Sequence, residues 1–314
     1  MERAYRNIDN RGLVMSGNKI ISDIKHFLFM SFGRMLPDTL WADKLYLKIF
    51  YKHKQGEKLD FDNPVTFNAK TQWLKLYDRK SIYTAMVDKY EVKRIVAKCI
   101  GEEYIIPTIG CWDKFEDIDF DKLPEKFVLK TNHDSGGVLI CTDKSKIDYN
   151  KELELFNSKL KTNYYYNGRE WPYKNVKPRI IAEEYMVDVE GEDLKDYKVY
   201  VFNGKVRCIH VDYDRFTNHR RNFYDCEWNY LPFTTLYPTD PEHIIEKPEK
   251  LEEMICLAEA ITKSIETPAF LRVDFYIIKG QIYFGETTFY HGSGLEKFYP
   301  MEWGKTLGDW VSLS

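Results

Sequence analysis

Residues 269–295 decide the fold of this chain, and they read AFLRVDFYIIKGQIYFGETTFYHGSGL. Two runs rich in valine, isoleucine, phenylalanine and tyrosine flank the break Lys279-Gly280, which predicts a β-hairpin. Side chains alternate along a strand, so the length of the loop determines which residues share a face. We expect a three-residue loop over residues 278–280, because a favoured loop of that length ends in a left-handed residue, here Gly280.

The three-residue loop brings four polar side chains onto one face of the hairpin. It pairs Arg272 with Glu286 and Asp274 with Phe284, and Thr288 lies on the same face as Glu286. A two-residue loop would send Glu286 to the far face. Two carboxylates and a hydroxyl form a hard oxygen site, which suits magnesium carried by phosphates better than zinc. The alternative is a surface hairpin with one cross-strand ion pair between an arginine and a glutamate.

Length and composition limit the classes of protein. A chain of 314 residues suggests about two domains. With 44% hydrophobic and 30% charged residues it is typical of a soluble globular protein, and a net charge of −3 argues against broad nucleic-acid binding. The six cysteines form no CxxC pair, which favours free thiols in a reducing compartment. The apolar stretch at residues 26–36 is too short to span a bilayer and lacks a signal-peptide cleavage pattern, so we expect a cytoplasmic protein.

The first third of the chain predicts helices. Residues 18–51 have helical apolar spacing broken at Pro37, which fits a helical cap on the next domain or a docking helix for a membrane surface or a partner. Thr66 is expected to cap a helix that ends near Leu76, and residues 82–98 predict another. Further along, the aromatic and polar residues 163–178 predict a mobile loop.

A second informative stretch is LPEKFVLKTNHDSGGVLI at residues 123–140. Two strand-like runs flank a loop of glycines and short polar residues, and Lys130 precedes that loop. Exposed backbone N–H groups together with a lysine are suited to cradling phosphate. The loop is not a Walker A loop, because the pattern GxxxxGK[ST] occurs nowhere in the sequence.

A second hairpin follows at residues 196–211, DYKVYVFNGKVRCIHV, with Asn203-Gly204 as a strong type I′ turn signal. Pairing outward from that turn sets Val201 opposite Val206 and puts a row of polar side chains on one face: Lys198, Tyr200, Lys205 and Arg207, with Tyr200 opposite Arg207. This row is either solvated or turned toward phosphates. The next stretch predicts an anion clamp made of Arg215, Arg220 and Arg221.

Together these stretches resemble the ATP-grasp superfamily, and more narrowly its TupA-like branch, which is related to a teichuronopeptide-biosynthesis protein. The resemblance extends from about residue 59 to about residue 300. It is carried by these blocks in order: NPVTFNAKTQWLKL, DKYEVKRIV, IGEEYIIPTIG, LPEKFVLKTNHDSGG, AEEYM, DYKVYVFNGKV, RVDFY and FGETTFYHGSG.

The resemblance implies an α+β class and an ATP-grasp fold, in which two α+β subdomains grip ATP. The implied organisation is a helical N-terminal segment at 1–58, a small N-terminal region at 59–122 and an ATP-grasp domain at 123–314. Within that domain the subdomains extend over about 123–186 and about 187–300.

The resemblance also implies roles for single residues. Lys89 and Lys130 match the two phosphate-binding lysines, and Lys198 matches a basic residue near the phosphates. The phosphate-covering loop corresponds to Asn132, Ser135, Gly136 and Gly137. The hinge that accepts adenine and ribose corresponds to Glu183, Glu184, Tyr185 and Met186. Asp274 and Glu286 match the magnesium-bridging carboxylates, and Arg272 matches an arginine near the reacting phosphoryl group. Thr288 stands where many relatives have asparagine, so its role as a metal ligand is a departure from the pattern.

The implied cofactors are ATP and Mg²⁺, and the implied function is an ATP-dependent carboxylate–amine ligase of bacterial surface polysaccharide biosynthesis. Its expected partners are a sugar or polysaccharide precursor with a carboxylate, such as a uronic acid, and an amino acid or amine. Arg221 is our candidate for binding the acceptor. The expected location is cytoplasmic or the inner face of the membrane. Three alternatives stay open: a phosphotransferase, a glycosyltransferase that uses Asp212-Tyr213-Asp214 as a DxD motif, and a non-catalytic nucleotide-binding protein.

Overall fold

The computed structural model describes residues 31–187, 194–214 and 218–313. It is a mixed structure of helices and antiparallel sheets, as the α+β prediction requires. Residues 31–35 are helical. The helices that follow are α1 (Leu40–Gln55), α2 (Phe67–Tyr77), α3 (Ile82–Val87), α4 (Glu91–Ile100), α5 (Tyr149–Leu160), α6 (Tyr165–Gly168), α7 (Leu251–Ser264) and α8 (Glu302–Asp309). Among the described residues, no helix has the length and apolar character needed to cross a membrane.

The strands form two sheets. The four-stranded sheet has the order β1-β4-β2-β3 and contains β1 (Thr108–Trp112), β2 (Phe127–Thr131), β3 (Val138–Cys141) and β4 (Ile180–Glu184). The six-stranded sheet has the order β10-β9-β5-β6-β7-β8 and contains β5 (Asp196–Phe202), β6 (Lys205–Tyr213), β7 (Arg220–Tyr224), β8 (Tyr230–Leu231), β9 (Phe270–Ile278) and β10 (Gln281–Thr288). Every strand pairing within the two sheets is antiparallel.

Each sheet has its own hydrophobic core. The largest core joins the six-stranded sheet to α3, α4 and α7, and it includes the fully buried Val199, Ile209, Val273 and Phe275. A second core lies under the four-stranded sheet, where Phe127, Leu129 and Phe156 are fully buried. The third core packs α1 against α2. The domain boundaries at 58 and 122 stay a prediction.

The opening hairpin has a different loop from the one expected. Its loop is the two-residue Lys279-Gly280, with φ of 51° and 76°, so that Gln281 pairs with Ile278. A β-bulge between Phe284 and Glu286 then adds one residue, and Glu286 pairs with Asp274. The expected pairs of Arg272 with Glu286 and of Asp274 with Phe284 are therefore wrong. Because the bulge shifts the register by one residue, Asp274 and Glu286 still lie directly opposite one another, and Thr288 lies opposite Arg272.

A bulge also changes the second hairpin. Asn203 and Gly204 have φ of 48° and 80°, as a type I′ turn requires, and Val201 pairs with Val206 as expected. Arg207 is the extra residue of a bulge, so Tyr200 pairs with Cys208 and the expected pairing of Tyr200 with Arg207 is wrong.

Two other expectations are corrected. Residues 82–98 form two helices, because the Asp88 carboxylate accepts hydrogen bonds from the backbone N–H of Tyr90 and Glu91 and so starts α4 anew. Residues 163–178 are an ordered segment that contains α6, in which Tyr165 is buried, and just after it the Arg169 side chain is completely buried. The predicted helix over residues 18–30 and the predicted clamp residue Arg215 lie outside the described residues.

Candidate active site

The centre of the candidate site is Asp274 on β9, a carboxylate that is only 2% exposed. Arg272, two residues earlier on the same strand, donates from Nε and Nη2 to Asp274 Oδ1 and Oδ2 at 2.7 and 2.8 Å. Lys198 Nζ of the neighbouring strand β5 lies 3.2 Å from Asp274 Oδ2 and also bonds Asp196. Burial raises the pKa of the Asp274 carboxyl, and the nearby charges of Arg272 and Lys198 oppose that rise.

Glu286 lies beside this centre and is more open to solvent. Its side chain is 40% exposed, and its carboxylate is 3.4 Å from Arg272 Nη2 and 3.9 Å from Lys89 Nζ. Desolvation would raise the pKa of the Glu286 carboxyl, but the cations of Lys89, Arg272 and Lys198 outweigh it and lower the pKa. Glu286 is therefore a charged carboxylate at the edge of the cluster, where a ligand from solvent can reach it.

Lys89 connects the two sheets. It lies in the break between α3 and α4, close to Glu286 of the six-stranded sheet, and its Nζ also donates to the backbone oxygen of Asp134 at 2.6 Å. Asp134 belongs to the loop between β2 and β3 of the four-stranded sheet. The cations and carboxylates that were predicted from distant parts of the sequence are thus brought together between the two sheets.

The donors at this site fit a magnesium ion that arrives with phosphates. Asp274 and Glu286 supply oxygens, and Thr288 supplies a neutral hydroxyl on the same strand as Glu286. Magnesium is usually bound by one or two protein carboxylates plus substrate phosphates. Among the described residues no group of three or more histidine, cysteine, aspartate or glutamate side chains could hold a metal by itself. The arrangement therefore suits Mg²⁺ shared with a nucleotide and does not suit a metal centre made by protein ligands alone.

The loop after β2 is anchored at its base and exposed at its tip. The Asn132 side chain is buried: it donates to Asp88 Oδ1 at 2.9 Å and accepts from the backbone N–H of Arg179 at 2.7 Å. A Cβ at Gly137 would lie 2.2 Å from Thr131 Oγ1, so only glycine fits there. Ser135 is exposed and Gly136 partly exposed. Asn132 is thus an anchor of the loop, and the exposed tip carries the N–H groups that can meet a ligand.

The residues predicted for the hinge differ in their surroundings. Glu183 is buried at the end of β4 between two lysines: its Oε2 is 2.5 Å from Lys130 Nζ and its Oε1 is 2.7 Å from Lys93 Nζ. Burial would raise the pKa of Glu183, but the two ammonium groups lower it to about 2. Glu184 is exposed, and Tyr185 and Met186, which follow the strand end, are partly exposed. Lys93 was not predicted as a site residue. It stands four residues after Lys89 in the block DKYEVKRIV, and that position was the available sequence signal.

A buried polar network behind Arg272 was also missed. Arg272 Nη1 lies 2.9 Å from His291 Nδ1, and His291 Nε2 lies 3.3 Å from Glu296 Oε2. Arg221 Nη1 is 3.4 Å from the same Glu296 oxygen, and Arg221 also pairs through Nε with Asp212 Oδ1 at 2.8 Å. His291 and Glu296 follow the hairpin directly, and their position in the block HGSGLE is the only sequence signal for them.

The predicted anion clamp does not form as expected. Arg220 and Arg221 are consecutive on β7 and so point to opposite faces: Arg221 is buried, whereas Arg220 Nη1 is 3.9 Å from Asp240 on the outside. Lys205 pairs with Glu259 of α7 at 2.9 Å, and Arg207 is exposed at the bulge. In the DxD candidate, Asp212 is buried and Arg221 donates to both of its carboxylate oxygens.

Two antiparallel sheets with lysines and carboxylates gathered between them define an ATP-grasp protein. Comparison with known families agrees: the family described as TupA-like ATPgrasp matches residues 69–312, and the chain belongs to that family. The predicted family and the predicted fold class are therefore confirmed. No curated protein sequence matches this chain.

Solved structures with related folds are distant in sequence. D-alanine–D-alanine ligase from Bacillus anthracis is 20% identical, with 69% of this chain and 57% of that chain covered and a TM-score of 0.37. The ADP complex of N5-carboxyaminoimidazole ribonucleotide synthetase has 15% identity, 80% and 56% coverage and a TM-score of 0.45. L-amino acid ligase from Bacillus licheniformis has 12% identity, 81% and 56% coverage and a TM-score of 0.43. The chain spans just over half the length of these proteins, and the likeness is too remote to assign a substrate.

Proposed function

We propose that this protein is an ATP-dependent carboxylate–amine ligase. Membership of the ATP-grasp family supports ATP as the co-substrate. The observation that carries the proposal is the pair of opposed carboxylates, Asp274 and Glu286, surrounded by the cations Arg272, Lys198 and Lys89. Phosphoryl transfer depends mainly on positioning and on neutralising charge, and this set of side chains supplies both.

In the proposed reaction, an acceptor carboxylate attacks the γ-phosphorus of ATP, and the bond to the β-phosphate oxygen breaks to give ADP and an acyl phosphate. An amine then attacks the acyl carbon, loses a proton, and releases phosphate as the amide forms. A magnesium ion held by Asp274 and Glu286 would neutralise charge on the phosphate oxygens. Arg272 is proposed to face the transferring group. Asp274 fixes its guanidinium from one side and His291 from another, which supports this role.

Residues of the four-stranded sheet are proposed to hold the rest of the nucleotide. Lys130 lies beside the loop whose exposed tip, at Ser135 and Gly136, can close over the phosphates and exclude water that would hydrolyse the acyl phosphate. Glu184 is the last residue of β4, and Tyr185 and Met186 follow it, where adenine and ribose would bind. The buried Glu183 fixes Lys130 rather than facing the nucleotide.

For the acceptor we propose a uronic-acid sugar or polysaccharide precursor, joined to an amino acid or amine, in the biosynthesis of a bacterial surface polysaccharide or capsule. The TupA-like membership supports this choice. Arg221 is proposed to orient the acceptor carboxylate indirectly, because its own donors already meet Asp212, Thr235 and Glu296. We also propose a location in the cytoplasm, where ATP is available.

The ligase reaction is tested by tracing an ¹⁸O label from the acceptor carboxylate to the released phosphate. The full chain is incubated with ATP, magnesium, glucuronate labelled with ¹⁸O in its carboxylate, and a panel of amino acids. A ligase transfers one labelled oxygen to the released phosphate, because the acyl phosphate retains the carboxylate oxygen. A phosphotransferase would give ADP and a stable phospho-sugar with no free phosphate. A glycosyltransferase would release UDP from a UDP-sugar and would leave ATP intact. Either of these last two results would replace the proposal.

A second measurement tests nucleotide binding without any acceptor. At about a hundred times Kd, Mg–ATP should stabilise the fold by about 2.7 kcal/mol and raise the melting temperature. An unchanged melting temperature with Mg–ATP, together with a rise on adding a UDP-sugar, would contradict the nucleotide site. If ATP stabilises the chain but no panel member turns over, the site stands and the acceptor class is wrong.

A further inference from the structure

Helix α1 exposes an apolar stripe although it belongs to a packed part of the fold. One side of the helix is buried against α2 and includes Tyr46, Leu47 and Phe50. On the other side Trp41, Leu45 and Ile49 are 61%, 41% and 37% exposed. Residues four apart on a helix lie above one another, so these three side chains form a continuous stripe on the outer surface.

A row of lysines runs beside this stripe with the same spacing. Lys44, Lys48 and Lys52 each lie three residues after an apolar member of the stripe, so the two rows are adjacent on the helix surface. The only acidic residue of α1 is Asp43, which is buried and holds Arg79 at 2.6 Å and Arg169 at 3.0 Å. The exposed side of α1 therefore carries positive charge alone, on a chain whose net charge is −3.

A groove extends the same surface. It has a volume of about 720 Å³, and its lining combines cations with aliphatic side chains: Lys48, Ile49, Lys52, His53, Lys58 and Leu59. Two carboxylates of the following turn are engaged locally, because Glu57 accepts from the Tyr51 hydroxyl and Asp60 accepts from the backbone N–H of Asp62 and Asn63. A phosphate headgroup with the first part of its acyl chains matches the mixed lining of this groove.

We propose that the outer side of α1 binds an anionic membrane surface. In this arrangement Trp41, Leu45 and Ile49 enter the headgroup region, and the lysine row contacts lipid phosphates. Tryptophan favours the interface between water and acyl chains, and lysines can extend their charged ends along an apolar surface to reach phosphate. A protein partner is disfavoured, because lysine is depleted at protein–protein interfaces, whereas basic amphipathic helices are typical of membrane surfaces. The inference goes beyond the proposed ligase activity and does not depend on it.

The test uses the full chain and needs no nucleotide. Binding is measured by co-sedimentation with vesicles of equimolar phosphatidylcholine and phosphatidylglycerol, and with vesicles of phosphatidylcholine alone. We expect binding to the anionic vesicles that weakens as salt is raised. The triple variant Lys44→Gln, Lys48→Gln, Lys52→Gln should lower the partition coefficient roughly a hundredfold, since each basic residue near an anionic surface contributes about 1 kcal/mol, or about a factor of five.

Matched variants separate this surface from general charge effects. The same three positions changed to arginine should retain binding. The control changes three exposed lysines near the four-stranded sheet to glutamine: Lys122, Lys126 and Lys146. It removes the same amount of charge and should leave vesicle binding within a few-fold of that of the parent chain. Trp41→Ser should weaken binding without lowering the melting temperature, because Trp41 is largely exposed.

Four results would overturn the inference. The first is that the full chain fails to bind anionic vesicles. The same result is expected if residues 1–30 or a protein partner cover the outer side of α1. The Lys122 set weakens binding as much as the α1 set. The arginine variants lose binding although they are folded. The last is a dimer in light scattering that Trp41→Ser converts to a monomer, together with absent vesicle binding. That result would mean that a second copy of the chain occupies the surface.

Discussion

Arg272 donates to both carboxylate oxygens of Asp274, at 2.7 and 2.8 Å, from a position two residues away on the same strand. Such a two-point pair fixes the plane of the guanidinium as well as its distance. Lys198 holds the same carboxylate from the next strand at 3.2 Å. The orientation of Asp274 is therefore set by the protein itself, whereas Glu286, with its side chain 40% exposed, is free to adjust to a ligand.

This difference predicts that two similar substitutions change the free energy of unfolding by different amounts. Glu286→Gln should leave the free energy of unfolding within about 1 kcal/mol of the parent protein, because ion pairs of a partly exposed group contribute little. Asp274→Asn should destabilise by about 3 kcal/mol, because it leaves the buried Arg272 and Lys198 without their shared carboxylate. Urea unfolding of both variants measures the difference.

Turnover should fall in both variants. If Asp274 and Glu286 hold a magnesium ion as proposed, loss of either carboxylate removes several kcal/mol of transition-state stabilisation. The control is Glu154→Gln, an exposed carboxylate of α5 outside this cluster. A folded Glu286→Gln protein that releases ADP at the parental rate would contradict the metal role of Glu286, whatever its stability.

His291 is expected to act through Arg272 and is therefore a positioning residue. Its burial lowers its pKa below 6.5, so it is neutral at pH 7, and its Nδ1 accepts from Arg272 Nη1 at 2.9 Å. His291→Leu removes that acceptor and should lower kcat by about 10- to 100-fold through misplacement of the guanidinium. His291→Asn can replace the acceptor and should retain most of the activity.

The kinetic pattern separates positioning from simple loss of folding. The KM for ATP should change by only a few-fold in the folded fraction of either variant, and the parental pH profile of kcat should contain no step from His291 above pH 7. Equal losses in the leucine and asparagine variants would show that the acceptor atom of His291 has no role.

The hairpin shows how far sequence reasoning extends at this site. The shared face of Asp274 and Glu286 was predicted from alternation, and the structure has it, but for a different reason. Lys279 adopts φ of 51°, an uncommon conformation for a side chain of this kind, so the turn needs only two residues. Gly285 within the strand was an available signal for the bulge that restores the face.

Contacts between residues far apart in the sequence could not be predicted from local sequence patterns. The bulge at Arg207 contains no glycine and left no local signal. Lys93 contacts Glu183 from a distant part of the chain. His291 likewise contacts Arg272, and Glu296 contacts Arg221, so these contacts exist only once the elements are packed. The family blocks predicted roles for Lys89, Asp274 and Glu286 that local chemistry could not suggest, and the structure brings these three side chains together.

Arg221 provides a stability test with a built-in control. It is buried and bridges Asp212 and Glu296, so Arg221→Gln should destabilise by about 3 to 5 kcal/mol by leaving two buried carboxylates without their cation. Arg220→Gln, next to it on the other face of β7, removes a 3.9 Å contact to Asp240 at a partly exposed position and should change stability by less than about 0.5 kcal/mol.

The proposed role of Arg221 in orienting the acceptor also predicts a kinetic effect of Arg221→Gln. Folded Arg221→Gln protein, assayed at low temperature, should show a raised KM for the acceptor with nearly unchanged ATP affinity. Equal loss of ATP affinity and acceptor affinity would place Arg221 with the nucleotide. Equal stability of Arg221→Gln and Arg220→Gln would show that the buried ion pairs of Arg221 are weak.

Glu183 makes acid stability a test of the four-stranded sheet. Its pKa is about 2 in the folded protein against an ordinary value of 4.5, because Lys130 and Lys93 outweigh the effect of burial. A lowered folded-state pKa means that the unfolded chain binds the proton more tightly. The stabilising contribution is therefore complete above about pH 4.5 and is lost as the pH falls toward 2. At 1.36 kcal/mol per pKa unit it amounts to about 3 kcal/mol.

Glu183→Gln should remove that contribution. The variant should be less stable than the parent protein at pH 7, and the difference should narrow between pH 4.5 and pH 2 as the parental carboxylate is protonated. Denaturant unfolding at a series of pH values measures the gap, and Glu184→Gln, an exposed neighbour on the same strand, should show no such convergence. A gap that stays constant down to pH 2 would mean that Glu183 stabilises the sheet through packing or neutral hydrogen bonds, and that its charge is not what holds Lys130 in place.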